Sequence, residues 1–131
     1  MIRPLLPALI VLTHICCAVA FQGDIVDTLS ALFKAANSKE ISKSFSSTVE
    51  LGVNEEEDVY PKAQAEQIIR EFFTKNPPLS SSVVHLINTN PNYRFGVLAL
   101  NTKNGKFRVA VTLKKTANTF SITELRIEPD K

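Results

Sequence analysis

Cysteine occurs only at positions 16 and 17, so the sequence beyond residue 17 can form neither a disulfide nor a thiol nucleophile. Histidine is nearly as scarce. Beyond His14 only His85 remains, which excludes a Cys/His zinc site in the body of the chain. No apolar run approaches the ~20 residues of a membrane-spanning helix. The longest one, Leu5 to Ile15, is short and interrupted by Pro7, Thr13 and His14. Internal repeats, Gly/Ser linkers and low-complexity tracts are lacking, as is any motif for a cofactor. Charge of one sign is not in excess either: the formal net charge is +2. With charge near balance and no aromatic–basic repeat, no nucleic-acid partner is expected.

What the N-terminus does contain is an export pattern. Arg3 gives a positive n-region, Leu5 to Ile15 an apolar h-region, and Ala18-Val19-Ala20 an A-x-A cleavage site. Residues 1–20 are therefore expected to be a cleaved signal peptide, and the mature chain to begin at Phe21. The expected destination is the periplasm or the extracellular medium. Lipidation is not expected, because Cys16 follows Ile15 and Cys17 follows Cys16, whereas lipobox cysteines follow a small residue. Cleavage would leave 111 residues, enough for a single core and no membrane span.

Charge is distributed unevenly along that chain. Residues 21–90 hold 6 basic and 10 acidic side chains, and residues 91–131 hold 8 basic and 3 acidic. The two parts are suited to attract each other or a partner.

Two helices show by their period. Ile25, Leu29, Leu32, Phe33 and Ala36 form one apolar stripe, with Asp24 and Asp27 at the end where a helix favours negative charge. Asn37-Ser38 should end it, with Ser38 capping a short helix through Phe45. A stronger stripe, Ala65, Ile68, Ile69, Phe72 and Phe73, runs from about Pro61 to Lys75. Glu66–Arg70 and Glu71–Lys75 are i,i+4 pairs on its exposed side. Between the helices Thr48–Val53 alternates as a strand. Glu55 to Asp58 reads as a polar loop without the spaced D-x-D-x-D-G pattern of a calcium site, so no metal is expected there.

From Ser82 on the period becomes two, and Val83–Ile87, Tyr93–Thr102, Lys106–Lys115 and Thr119–Glu128 read as a four-stranded meander. Asn104-Gly105 predicts a two-residue type I′ turn. That turn sets Leu100 opposite Val109 and Leu98 opposite Val111, giving one apolar face. On the other face it pairs Val97 with Thr112 and Phe95 with Lys114. In the last strand Phe120 and Ile122 give way to Leu125 and Ile127 with shifted parity, which predicts a bulge near Thr123-Glu124. Helices first and then a sheet with one apolar face define an α+β fold.

The segments VYPKAQAEQIIREFFTKNPP and LNTKNGKFRVAVTLKKTANTFSITELRIE together resemble a family of small exported bacterial domains of unknown function. That family is similar to the nuclear-transport-factor-2-like, or cystatin-like, superfamily. The resemblance implies a cone in which N-terminal helices pack on a strongly curved, mainly antiparallel sheet. It also implies that dimers through the sheet are common. It transfers no catalytic residues, because the superfamily houses enzymes, binding subunits and scaffolds alike.

Chemistry has few candidates. His85 could act as a base, but a base needs an orienting partner that the sequence does not name. Glu50 and Tyr60 are of the types that an isomerase-like pocket would combine, as are Asp58 and Tyr93, without a spacing that requires it. The outer sheet face gathers Tyr93, Phe95, Val97 and Ala99 with Arg108, Lys114, Glu124, Arg126 and Glu128, apolar residues among charges as in an interface. The expectation is a non-catalytic binding or assembly module, homodimeric through that face or engaging an envelope protein or small ligand. The alternative is a small-molecule isomerase- or hydrolase-like enzyme built around His85 or Glu50.

Overall fold

A computed structural model describes residues 23–131 of the chain. The expected signal segment and its boundary at Phe21 lie outside the described residues. Asp24 starts helix α1 (Ile25–Lys34) with a capping box. Its Oδ1 accepts from the Val26 amide at 3.1 Å, and Asp27 Oδ2 accepts from the Asp24 amide at 3.0 Å. Val26, Leu29 and Phe33 are fully buried on the inner side of this helix, with Ile25, Leu32 and Ala36 packed beside them.

Ala36 turns to positive φ after α1, and Asn37 rather than Ser38 caps the short helix α2 (Ser38–Ser42). The Asn37 Oδ1 accepts from the Glu40 amide at 3.1 Å. Phe45, expected to close that helix, instead opens strand β1 (Phe45–Val53). The acidic run corrects a second expectation. Asn54 and Glu55 both adopt positive φ, 52° and 74°, the conformation of a two-residue mirror-image turn. Glu56, Glu57 and Asp58 therefore belong to strand β2 (Glu56–Pro61), not to a loop. Helix α3 (Lys62–Lys75) follows directly, with Pro61 at its N-cap. Of its two expected ion pairs, Glu66–Arg70 forms; Glu71 and Lys75 are not paired.

Strands β3 (Pro78–Ile87), β4 (Tyr93–Thr102), β5 (Gly105–Thr116) and β6 (Thr119–Pro129) form the expected meander, except that β3 begins at Pro78 and not at Val83. All six strands make one sheet in the order β2-β1-β6-β5-β4-β3, antiparallel except where β1 lies parallel to β6. Its inner face, including Val49, Leu51, Leu98, Leu100, Val111 and Ile127, packs against the helices. Three edge-to-face aromatic contacts tie α1, α3 and β5 together: Phe33–Phe73, Phe72–Phe73 and Phe72–Phe107.

The β4–β5 register differs from the expected one by two residues. Leu100 faces Phe107, Leu98 faces Val109, Val97 faces Ala110 and Phe95 faces Thr112. Lys103-Asn104, not Asn104-Gly105, are the turn residues, and Gly105 begins β5 at φ 124°. Two contacts favour this. The Asn104 side-chain amide donates to the Lys75 carbonyl at the end of α3, and Thr102 Oγ1 accepts from the Asn104 amide at 3.1 Å. A two-residue slip leaves side-chain parity unchanged, so both faces keep their expected members. The bulge in β6 falls at Thr123, between the pairs Thr112–Glu124 and Leu113–Ile122.

Candidate functional site

The register places a continuous set of side chains on the outer face of the sheet. One row runs His85, Val97, Ala110, Arg126, Gly52, Glu57 from edge to edge. The neighbouring row runs Ile87, Phe95, Thr112, Glu124, Glu50, Val59. Ala99, Arg108 and Glu128 form a third, and Tyr93, Lys114 and Ser121 a fourth. Tyr93, Phe95, Arg108, Lys114 and Arg126 thus share one surface, whereas Val97, expected among them, lies in the same row but is covered and only 2% exposed.

That surface is divided, not concentric. Over β3 and β4 it is apolar and aromatic: His85 meets Phe95 edge to face with centroids 6.4 Å apart, and Ile87 is 42% exposed. Over β6, β1 and β2 it is ionic. Arg126 Nη2 donates to Glu57 Oε2 at 2.8 Å and to Glu124 Oε2 at 3.0 Å. The hydrogen bond to Glu57 and that carboxylate's charge raise the Arg126 pKa above its ordinary value. Glu50 completes a group of three carboxylates with Glu57 and Glu124. The Arg126 guanidinium, placed on the outer face by the sequence, is thus engaged within its own chain. A second bond between the acidic and basic parts lies on the inner side, where Arg94 Nε donates to Asp24 Oδ2 at 2.7 Å. The Arg94 guanidinium also lies 4.7 Å from the centre of the Phe120 ring.

The three pocket candidates are not brought together. His85 and Glu50 are both exposed on the outer face. They are separated by β4, β5 and β6, roughly 19 Å at the usual strand spacing. Tyr60 points to the inner side, opposite Val49, and packs on the core. It lines a depression of about 200 Å³ with Leu51 and Ile68. Next to it, a groove of about 330 Å³ between α3 and the β1–β2 hairpin is floored by Val53, Ile68 and Phe72 and rimmed by Glu56, Glu71 and Lys75. Sequence reasoning missed this groove, because it depends on the acidic run being a strand that overhangs α3. No helix among the described residues is long and apolar enough to cross a membrane.

Several solved structures share this architecture. A protein from Bacteroides ovatus is 32% identical, with a TM-score of 0.74 over 79% of this chain and 93% of its own. One from Bacteroides uniformis is 27% identical, with a TM-score of 0.77 over 82% of this chain and 99% of its own. Both are described as DUF4783 family proteins. More distantly, an NTF2-like protein of unknown function from Shewanella baltica shares 12% identity and a TM-score of 0.62, covering 82% of this chain and 89% of its own. That likeness concerns the fold alone. Among curated proteins there is no match. The family model "Domain of unknown function (DUF4783)" matches residues 26–128, nearly the whole described domain. The α+β cone expected from the sequence is therefore an NTF2-like fold, and the chain belongs to the DUF4783 family.

Proposed function

We propose that this protein is an exported, non-catalytic binding or assembly module that works through the outer face of its sheet. The observation that carries the reading is the filled interior. Where a cone-shaped fold would hold a ligand, Phe33, Phe72, Phe73 and Phe107 pack edge to face, and no carboxylate or histidine is buried among them. The outer face, in contrast, carries an aromatic and apolar half next to an ordered ionic half. Anchors of the first kind supply contact area, and charges of the second give orientation. Export rests on the sequence of residues 1–20.

The reading is tested by affinity capture from an envelope extract with the wild-type chain and with Phe95→Glu. Both proteins must first show the same circular dichroism. A retained protein, or further copies of this chain, lost specifically with Phe95→Glu is the expected result. Equal retention by both would remove the outer face from the account. N-terminal sequencing of the envelope protein checks export, and a chain still beginning at Met1 would contradict it.

A further inference from the structure

The two edges of the sheet are built differently. At one end β2 exposes Glu56, Glu57 and Asp58 within six residues and ends in Pro61, the kind of charged, short edge that resists pairing. At the other end β3 runs for ten residues, PLSSSVVHLI, with no Asp, Glu, Lys or Arg. The uncharged stretch continues in both directions, from Asn76 to Tyr93. Of the four large hydrophobic residues exposed among the described residues, three lie on β3: Leu79 at 56%, Val84 at 55% and Ile87 at 42%. Leu79 and Val84 sit at the two register shifts between β3 and β4, where the extra residue of a bulge is re-aimed away from the regular pleat. Between them Ser80 to Val83 keep a regular ladder with β4. From behind, Ser81 is held by the Ser30 hydroxyl of α1 at 2.8 Å.

We propose that β3 pairs antiparallel with β3 of a second copy, joining two six-stranded sheets across a two-fold axis near Ser81-Ser82. An isologous contact requires a segment that tolerates itself, and an uncharged strand does so where the acidic β2 would not. The spacing also fits. Leu79 and Val84 flank the regular segment, so a two-fold axis passing through Ser81 or Ser82, each facing its own copy, sets Leu79 of each chain within one residue of Val84 of the other. Each copy's exposed side chains then cover the other's, while the serine backbone between them supplies the ladder hydrogen bonds. The acidic β2 edge leaves no second site for strand addition, so the assembly closes at two and does not grow into a fibre. The contact runs along an edge and does not depend on the outer face.

The test is sedimentation velocity at micromolar concentration on protein purified after expression of the complete chain. Wild type is compared with the double variant Leu79→Lys/Val84→Lys, with Asp58→Lys on the opposite edge, and with Phe95→Glu. The substituted edge residues are exposed, and circular dichroism confirms that each variant folds. Wild type and Asp58→Lys should sediment as dimers, and the double variant as a monomer with a dissociation constant raised on the order of tenfold or more. Amide exchange in Ser80–Val84 should be slow in wild type and speed up on dilution. A double variant that still dimerises like wild type would overturn the proposal. If Phe95→Glu then gave a monomer, the association would belong to the outer face and that reading would stand. A wild type that is monomeric throughout would also overturn it, leaving the edge to a foreign strand or to solvent.

Discussion

Val26 of α1 lies so close over Gly96 of β4 that a Cβ built on the glycine would sit 2.5 Å from Val26 Cγ1 and 3.0 Å from Cγ2. This contact seats the first helix on the sheet, since Val26 is fully buried and begins the inner stripe of α1. Gly96→Ala should force the helix away and cost about 1–3 kcal/mol, as overpacking of a tight core does. Gly96→Ala/Val26→Ala should recover part of that loss. A urea midpoint unchanged in the single variant would contradict the contact.

Phe72 touches both Phe73 and Phe107 edge to face and is 4% exposed. Phe72→Ala should lose about 3–5 kcal/mol, the range for truncating a buried phenylalanine. Phe95→Ala, on the outer face, should lose much less. Similar urea midpoints for the two variants would mean that the inner and outer faces have been wrongly assigned.

Asp24 performs two tasks, capping α1 and accepting from Arg94. Asp24→Asn keeps a capping oxygen and removes the charge; Asp24→Ala removes both. The alanine variant should be the less stable by about 1 kcal/mol, the usual worth of an N-cap. Thermal unfolding of the two variants side by side reads the difference, and equal losses would mean that the cap contributes nothing.

Arg126 is the one cation hydrogen-bonded within the group of Glu50, Glu57 and Glu124. Because its pKa is raised, its stabilising contribution is present below its ordinary pKa and would be lost only at strongly alkaline pH. From about pH 5 to pH 9 that contribution should not vary. Arg126→Gln should destabilise slightly, within about 1 kcal/mol as for exposed pairs, and more at low salt than at high salt. Unfolding midpoints in low and high sodium chloride check this, and an equal effect in both would remove the ionic explanation.

Much of this fold was legible in the sequence because it rests on period. The stripes through Phe33 and Phe72, the alternation in the last three strands and the bulge at Thr123 each follow from burying one face. What was not legible depends on contacts made at a distance. Asn104-Gly105 reads locally as a type I′ turn, yet Asn104 turns to the Lys75 carbonyl, and the register moves by two. The acidic run reads as solvated loop, yet the mirror-image turn at Asn54-Glu55 folds it back as β2. The candidate site divides in the same way. Parity alone assembles the outer face, from Tyr93 to Arg126. It does not reveal that His85 meets Phe95 edge to face, that Arg126 is held by Glu57, or that Glu50 and His85 stand four strand spacings apart on the same face.

Surface association through the sheet, and not chemistry in the interior, is the role we propose for this domain. Sedimentation velocity of wild type and Phe95→Glu over a range of concentrations, alone and with the partner captured from envelope extract, tests it most directly. The predicted result is concentration-dependent association of wild type, with itself or with that partner, of which the part that does not run through the β3 edge is weakened by Phe95→Glu without a change of fold. Wild type that stays monomeric and unbound under all these conditions would contradict it, as would Phe95→Glu in the Leu79→Lys/Val84→Lys background associating as that background does.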